Sequence, residues 1–177
     1  MIPFMMIMNK HDSFISNVNI SSLNNKNSGT ENLALQMEFK IEGKIRDVFE
    51  KKNWERAYNK YDNIFRVVIE LEFRSGRNII YSEKFVRKAV LFWTRNPKIQ
   101  DRIWVQIVKD DSTFYPLSVD EAKTLLFDFK KTFELENRRL KVTNNMIGAR
   151  IAVSWGKHLF TDSEKISAKS ENIKVIK

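Results

Sequence analysis

His11 and His158 are the chain's two imidazoles, and His158 has Ser154, Asp162 and Ser163 close to it in sequence. Those are the residue types of a nucleophile–base–carboxylate relay. Such relays are assembled in space from separate parts of a chain, and short-range Ser/His/Asp neighbours arise readily by composition alone. Asp110–Asp111 and Asp120–Glu121 offer oxygen donors to a divalent cation, but acids at a loop or a helix start look the same in sequence. Two histidines make no histidine-rich metal site and no HExxH pairing. The chain has no cysteine, which excludes disulfides, thiolate nucleophiles and cysteine-bound zinc. Its five glycines (29, 43, 76, 148 and 156) form neither a GxGxxG fingerprint nor a phosphate loop. The expectation is a protein that binds without catalysis, cofactor or metal.

Basic side chains are the chemistry that remains. The formal charge is +9 over 177 residues, with a pI of about 9.7, which favours polyanionic partners. The charge is unevenly placed. Residues 1–72 are balanced, 73–109 carry net +7, 110–136 carry net −4 and 137–177 carry net +6. Candidate polyanion-binding residues in the first basic block are Arg74, Arg77, Lys84, Arg87, Lys88, Arg95, Lys98 and Arg102. Trp93 and Trp104 lie among the last of them, as rings on which bases stack beside phosphate-binding cations. Lys52, Arg56 and Lys60 stand four apart, which lines one face of a helix and sets like charges against one another at a small cost. These three complete the candidate set. A basic and an acidic region on one small protein also permit self-association, unless the two blocks intermingle in space and cancel.

The elements that position these residues follow from periodicity. Residues 1–32 ("NVNISSLNNKNSGTEN" within them) read as a flexible Asn/Ser-rich arm with one weak strand around Phe14–Ile20. Residues 33–177 read as one basic domain, long enough for a substantial core. Leu33, Leu35, Met37, Phe39, Ile41 and Ile45 alternate with polar residues, the mark of a half-buried strand, and Gly43 suggests a bulge or close backbone approach. From Trp54 the apolar residues recur every three or four, which predicts an amphipathic helix over 50–64. Residues 65–74 fit either period, and those of 79–94 settle on neither. "RSGRN" is a turn and "RIWVQIV" a strand. Ser118 and Glu121 form a capping box, and Val119, Ala122, Leu126, Phe129 and Phe133 continue the helix it opens at helical spacing, although Leu125, Phe127 and Phe129 also fit a strand, which leaves 124–135 open between the two. "IGARIAVSW" and "ISAKSENIKVI" read as closing strands. About five strands with two or three helices predict an α+β domain with an antiparallel sheet, with an all-β sandwich as the alternative should the ambiguous segments be extended.

No apolar run approaches the roughly 18–20 residues of a membrane span. "MIPFMMIM" lacks a basic flank and a cleavage site, so the expectation is a protein that is not secreted and is kept in the cytoplasm.

A polar arm, the strand "LALQMEFKIEGKIRDVF", the aromatic helix "WERAYNKYDNIF" and the basic apolar segment "IIYSEKFVRKAVLFW" follow one another in a single basic domain. In this layout, over residues 33–155, the chain resembles the rhabdovirus matrix proteins, particularly the cytoplasmic plant-infecting type. The resemblance implies a virion structural protein that condenses viral ribonucleoprotein, self-associates and lines the inner face of the envelope. Implied partners are an anionic membrane surface, the ribonucleoprotein, further copies of the chain and the tail of an envelope glycoprotein. It further implies peripheral attachment to membranes in the host cytoplasm and the virion. The proline-rich late-budding motif of the animal viruses is missing, since the only prolines are Pro3, Pro97 and Pro116. Two other readings stand beside this one, a nucleic-acid-binding module and a β-sandwich adaptor that binds proteins.

Overall fold

The computed structural model describes residues 13–23, 32–47, 64–91, 103–107, 115–136, 139–156 and 164–175. These residues form an all-β protein, which corrects the α+β expectation: ten strands are joined by two short helices. The strands are β1 (Ser13–Ser22), β2 (Asn32–Gly43), β3 (Ile64–Ser75), β4 (Asn78–Leu91), β5 (Ile103–Ile107), β6 (Tyr115–Leu117), β7 (Asp128–Glu136), β8 (Met146–Gly156), β9 (Glu164–Lys169) and β10 (Ile173–Lys174). The helices are α1 (Lys44–Asp47) and α2 (Val119–Phe127). The strands make two antiparallel sheets. The small one has the order β1-β2-β7. The large one has the order β10-β8-β3-β4-β5-β6, with β9 also paired to β8.

The core lies between the sheets. Leu33, Leu35, Met37, Phe39 and Ile41 of β2 are at most 2% exposed, as the alternation in the sequence requires. Opposite them, Phe65, Val67, Ile69, Leu71 and Phe73 are at most 3% exposed. Residues 65–74 are therefore a strand, because the two-residue period buries every second side chain of the run and leaves Arg66, Glu70, Glu72 and Arg74 to solvent. Aromatic rings stitch the two sheets together. Phe129 and Phe133 of β7 meet Phe85 of β4 at 5.3 and 6.3 Å between centroids, and Phe133 meets Phe73 at 5.1 Å, while within the small sheet Phe39 stacks on its cross-strand partner Phe129 at 4.7 Å.

Residues 124–135, open between helix and strand in the sequence, divide at Asp128. The capping box is present: the Ser118 hydroxyl accepts from the Glu121 N–H at 3.3 Å, and the Ser118 N–H donates to the Glu121 carboxylate at 2.8 Å. The helix it opens ends at Phe127, and Asp128 is already extended. From there Phe129, Phe133 and Leu135 are buried at a period of two while β7 pairs with β2 from Lys40↔Asp128 to Asn32↔Glu136. A full ladder with β2 and the burial of Phe129, Phe133 and Leu135 on one side of β7 outweigh the helical spacing of the same phenylalanines.

The strand expected around Phe14–Ile20 is β1, which pairs with β2 and buries Ile20. Gly43, at the end of β2, has φ +91°, and Gly76, in the β3–β4 turn, has φ +58°. Both lie where a side chain is strained. The helix expected over 50–64 falls on residues outside those described, apart from Ile64, which opens β3.

Candidate polyanion interface

Antiparallel register fixes what lies on the outer face of the large sheet. The core takes the odd-numbered residues of β3, so the even-numbered ones point away from it together with their cross-strand partners. Lys88 is opposite Arg66, Lys84 opposite Glu70, and Arg150 of β8 opposite Glu72. One strand further out, Lys169 is opposite Arg150 and Lys165 opposite Ser154. Among the described residues, seven cations (Arg66, Arg74, Lys84, Lys88, Arg150, Lys165 and Lys169) therefore share this face with two carboxylates, Glu70 and Glu72. Val68, Val86 and Ala152 lie between them. Both basic blocks of the sequence contribute, and they reinforce each other.

The charges are arranged in three zones. In the centre, Glu70 lies 3.9 Å from Lys84 and 3.7 Å from Lys165, and Glu72 lies 3.3 Å from Arg74. An open depression lies here, lined by Glu70, Glu72, Arg150, Ala152, Lys165, Ile166 and Ser167. At one end Arg66 faces Lys88, and at the other Arg150 faces Lys169, with no ion pair to either couple among the described residues. Directly opposed side chains on one face of an antiparallel pair stand about 4.5–5.5 Å apart at Cβ, and like charges there are destabilising. Beyond the couples, Arg66 is opposite Gly156 and Lys88 opposite Gln106, whereas Arg150 has Glu72 on its β3 side.

Of the residues singled out in the sequence, Arg74, Lys84 and Lys88 lie on this face, and Arg77 is exposed in the turn beside it. Arg87 does not. It follows Phe85 on the inner side of β4, and its guanidinium lies 5.3 Å from the Phe129 ring centre. Burial pulls its pKa down, opposed in part by Asp128, and its Nη1 is enclosed without a hydrogen-bond partner. Nearby, Lys131 of β7 also points inward, 4.7 and 5.3 Å from the Phe85 and Phe133 ring centres and 3.8 Å from Glu83. The Tyr81 hydroxyl donates to Glu83 at 2.6 Å, and burial pushes its pKa up. Lys52, Arg56, Lys60, Arg95, Lys98, Arg102 and Trp93 lie outside the described residues, and Trp104 falls in β5.

Four cations of the face were not singled out in the sequence: Arg66, Arg150, Lys165 and Lys169. Arg66 belongs to a segment whose charges sum to zero, and the other three to the carboxy-terminal block. A period of two in "GARIAVSW" and "EKISAK" is the signal that marks them, since it sets Arg150, Lys165 and Lys169 on the polar side of their strands.

His158 and Asp110–Asp111 lie outside the described residues. Asp120 and Glu121 sit in the first turn of α2, with Glu121 engaged in the cap. Among the described residues no group of carboxylates and imidazoles is placed to hold a metal ion, and no helix is long and apolar enough to cross a membrane. No family model, curated protein or solved structure matches the chain.

Proposed function

We propose that the protein is a non-enzymatic binding module that takes the phosphates of a nucleic acid on the outer face of its large sheet. The observation that carries this reading is the pair of like-charge couples, Arg66 with Lys88 and Arg150 with Lys169. Each sets two cations side by side at a cost to the fold that a bound phosphate relieves. The phosphate backbone supplies most of the affinity of such a surface without selecting a sequence.

An anionic membrane offers the same charge as a continuous plane. Glu70 and Glu72 stand at the centre of the face, where a plane of lipid phosphates would press on them, whereas separate phosphates can occupy the two couples and leave the acids uncovered. This favours nucleic acid. Condensation of ribonucleoprotein, as the matrix-type layout implies, is one setting in which such a surface would act.

Binding of fluorescent DNA and RNA oligonucleotides across a salt series tests the reading. Affinity is expected to fall steeply with salt, with a log–log slope of about −0.9 per duplex phosphate contacted or about −0.7 per single-strand one. Lys88→Ala and Lys169→Ala should each weaken binding to all sequences alike and reduce the slope by about one contact. Flotation with anionic but not neutral vesicles, without nucleic-acid binding, would transfer the surface to a membrane. Binding to neither overturns the reading.

A further inference from the structure

On the reading that this face takes nucleic-acid phosphates, we infer that its ligand is a duplex, gripped at two points on either side of a groove, and not a single strand laid along the face. The layout of the charges carries this. The Arg66–Lys88 couple spans β3 and β4, and the Arg150–Lys169 couple spans β8 and β9. Arg150 is opposite Glu72 on β3, so the couples are offset by six residues along the strand direction and by two strand spacings across it. At about 3.3 Å per residue and about 4.8 Å per strand, they lie roughly 22 Å apart on the diagonal. Lysine and arginine stems are long enough to lean inward from that spacing. The couples thus suit two phosphate backbones flanking a groove about 12 Å wide.

Between the couples the face changes sign. Glu70 and Glu72 stand there, and their cationic neighbours Lys84, Lys165 and Arg74 are already engaged with them. A single strand crossing from one couple to the other would carry its phosphates over these carboxylates. Single-strand binders instead provide an unbroken positive groove with aromatic platforms. Among the described residues, the lining of the central depression includes no aromatic side chain, with Ala152 and Ile166 as its apolar members. A duplex avoids the conflict, because the groove itself lies over the acids, where base amino groups are donors a carboxylate can accept from.

The test compares one blunt duplex of about 16 base pairs with each of its two separate strands, by fluorescence anisotropy at about 0.1 M salt. The duplex is expected to bind at least about tenfold more tightly than either strand. The Glu70→Gln/Glu72→Gln double variant should then improve single-strand binding more than duplex binding and narrow that ratio, since it restores a continuous positive track. Single strands that bind as tightly as the duplex overturn the inference while leaving the phosphate-binding reading in place. So does a double variant that improves both ligands equally. Absence of binding to any nucleic acid removes both.

Discussion

Arg87 and Lys88 are neighbours in sequence with opposite surroundings. Lys88 stands on the outer face of β4 opposite Arg66, while Arg87 projects between the sheets onto Phe129. Burial already lowers the guanidinium's pKa, and its enclosed Nη1 has no acceptor. An unsatisfied buried donor costs about 1–3 kcal/mol, and replacing such a group by an apolar one of similar reach is often neutral or stabilising. Arg87→Met should therefore leave stability within about 1 kcal/mol of the parent in urea unfolding, because methionine keeps the stem packed on the ring. It should also leave polyanion binding unchanged, whereas Lys88→Ala reduces it. A loss of more than about 2 kcal/mol in Arg87→Met would mean that the guanidinium does more for the fold than its place over the Phe129 ring and the charge of Asp128 account for. The alternation of a strand is what separates the two residues, and that alternation is invisible in the run "KFVRKAVLF", where charged and apolar types occupy both faces.

At the scale of elements, legibility tracks how cleanly a strand divides core from solvent. β2 was legible because all its inner residues are apolar and nearly all its outer ones polar. β4 was not, because Tyr81, Glu83, Phe85 and Arg87 share its inner side, with Glu83 satisfied by the Tyr81 hydroxyl and Arg87 lying over a ring. Its polar residues thus fail to mark the outside, and neither period emerges. β7 was masked differently. Leu126 and Phe127 close a helix and Phe129 opens a strand, all three at most 3% exposed, and there is no glycine or proline at the junction to announce the change. The helix start, in contrast, was legible from Ser118 and Glu121, since a cap is a local device. Ser118→Ala should cost about 0.5–2 kcal/mol in thermal or urea unfolding. The Glu121 carboxylate, which accepts from the Ser118 hydroxyl and backbone N–H, has a pKa below its ordinary 4.5. A depressed folded-state pKa contributes stability that is present above the unfolded value and is lost as pH falls through the folded one. Glu121→Gln removes that titration, so its melting temperature should drop less than the parent's between about pH 6 and about pH 3. Equal drops in the two proteins would show that the cap does not depend on the charge.

At the scale of the whole fold, the described residues set unlike charge on the outer faces of the two sheets. The outer face of the large sheet carries seven cations and two carboxylates among the described residues. The outer face of the small sheet carries Glu38, Glu42, Asp128, Glu134 and Glu136 against Lys40 and Lys130, with Arg46 pairing to Glu42 at 3.6 Å and to Asp128 at 3.1 Å, and Arg139 to Glu136 at 3.1 Å. Apart from the Arg139–Glu136 pair, the carboxylates of the small sheet's outer face and the cations of the large sheet's outer face thus lie on opposite sides of the described fold. Counting charge along the chain reveals the blocks, but only the sheet order places them, because β8 and β9 join β3 and β4 across a long stretch of sequence. Packed sheets stand about 10 Å apart, and the charged groups on their outer faces stand further apart still. The Debye length is about 8 Å at 0.15 M salt and about 30 Å at 0.01 M. The acidic face should therefore be hidden from a polyanion on the basic face at physiological salt and felt at low salt. Glu134→Gln with Glu136→Gln is expected to leave affinity within about twofold at 0.15 M and to tighten it severalfold at 0.01 M. Lys88→Ala should weaken binding at both. Acidic-face variants that matched basic-face ones at 0.15 M would show the ligand touching both sides and refute a one-sided surface. The predicted contrast instead leaves each molecule with one orientation on a polyanion, its basic sheet inward and its acidic sheet turned to solvent.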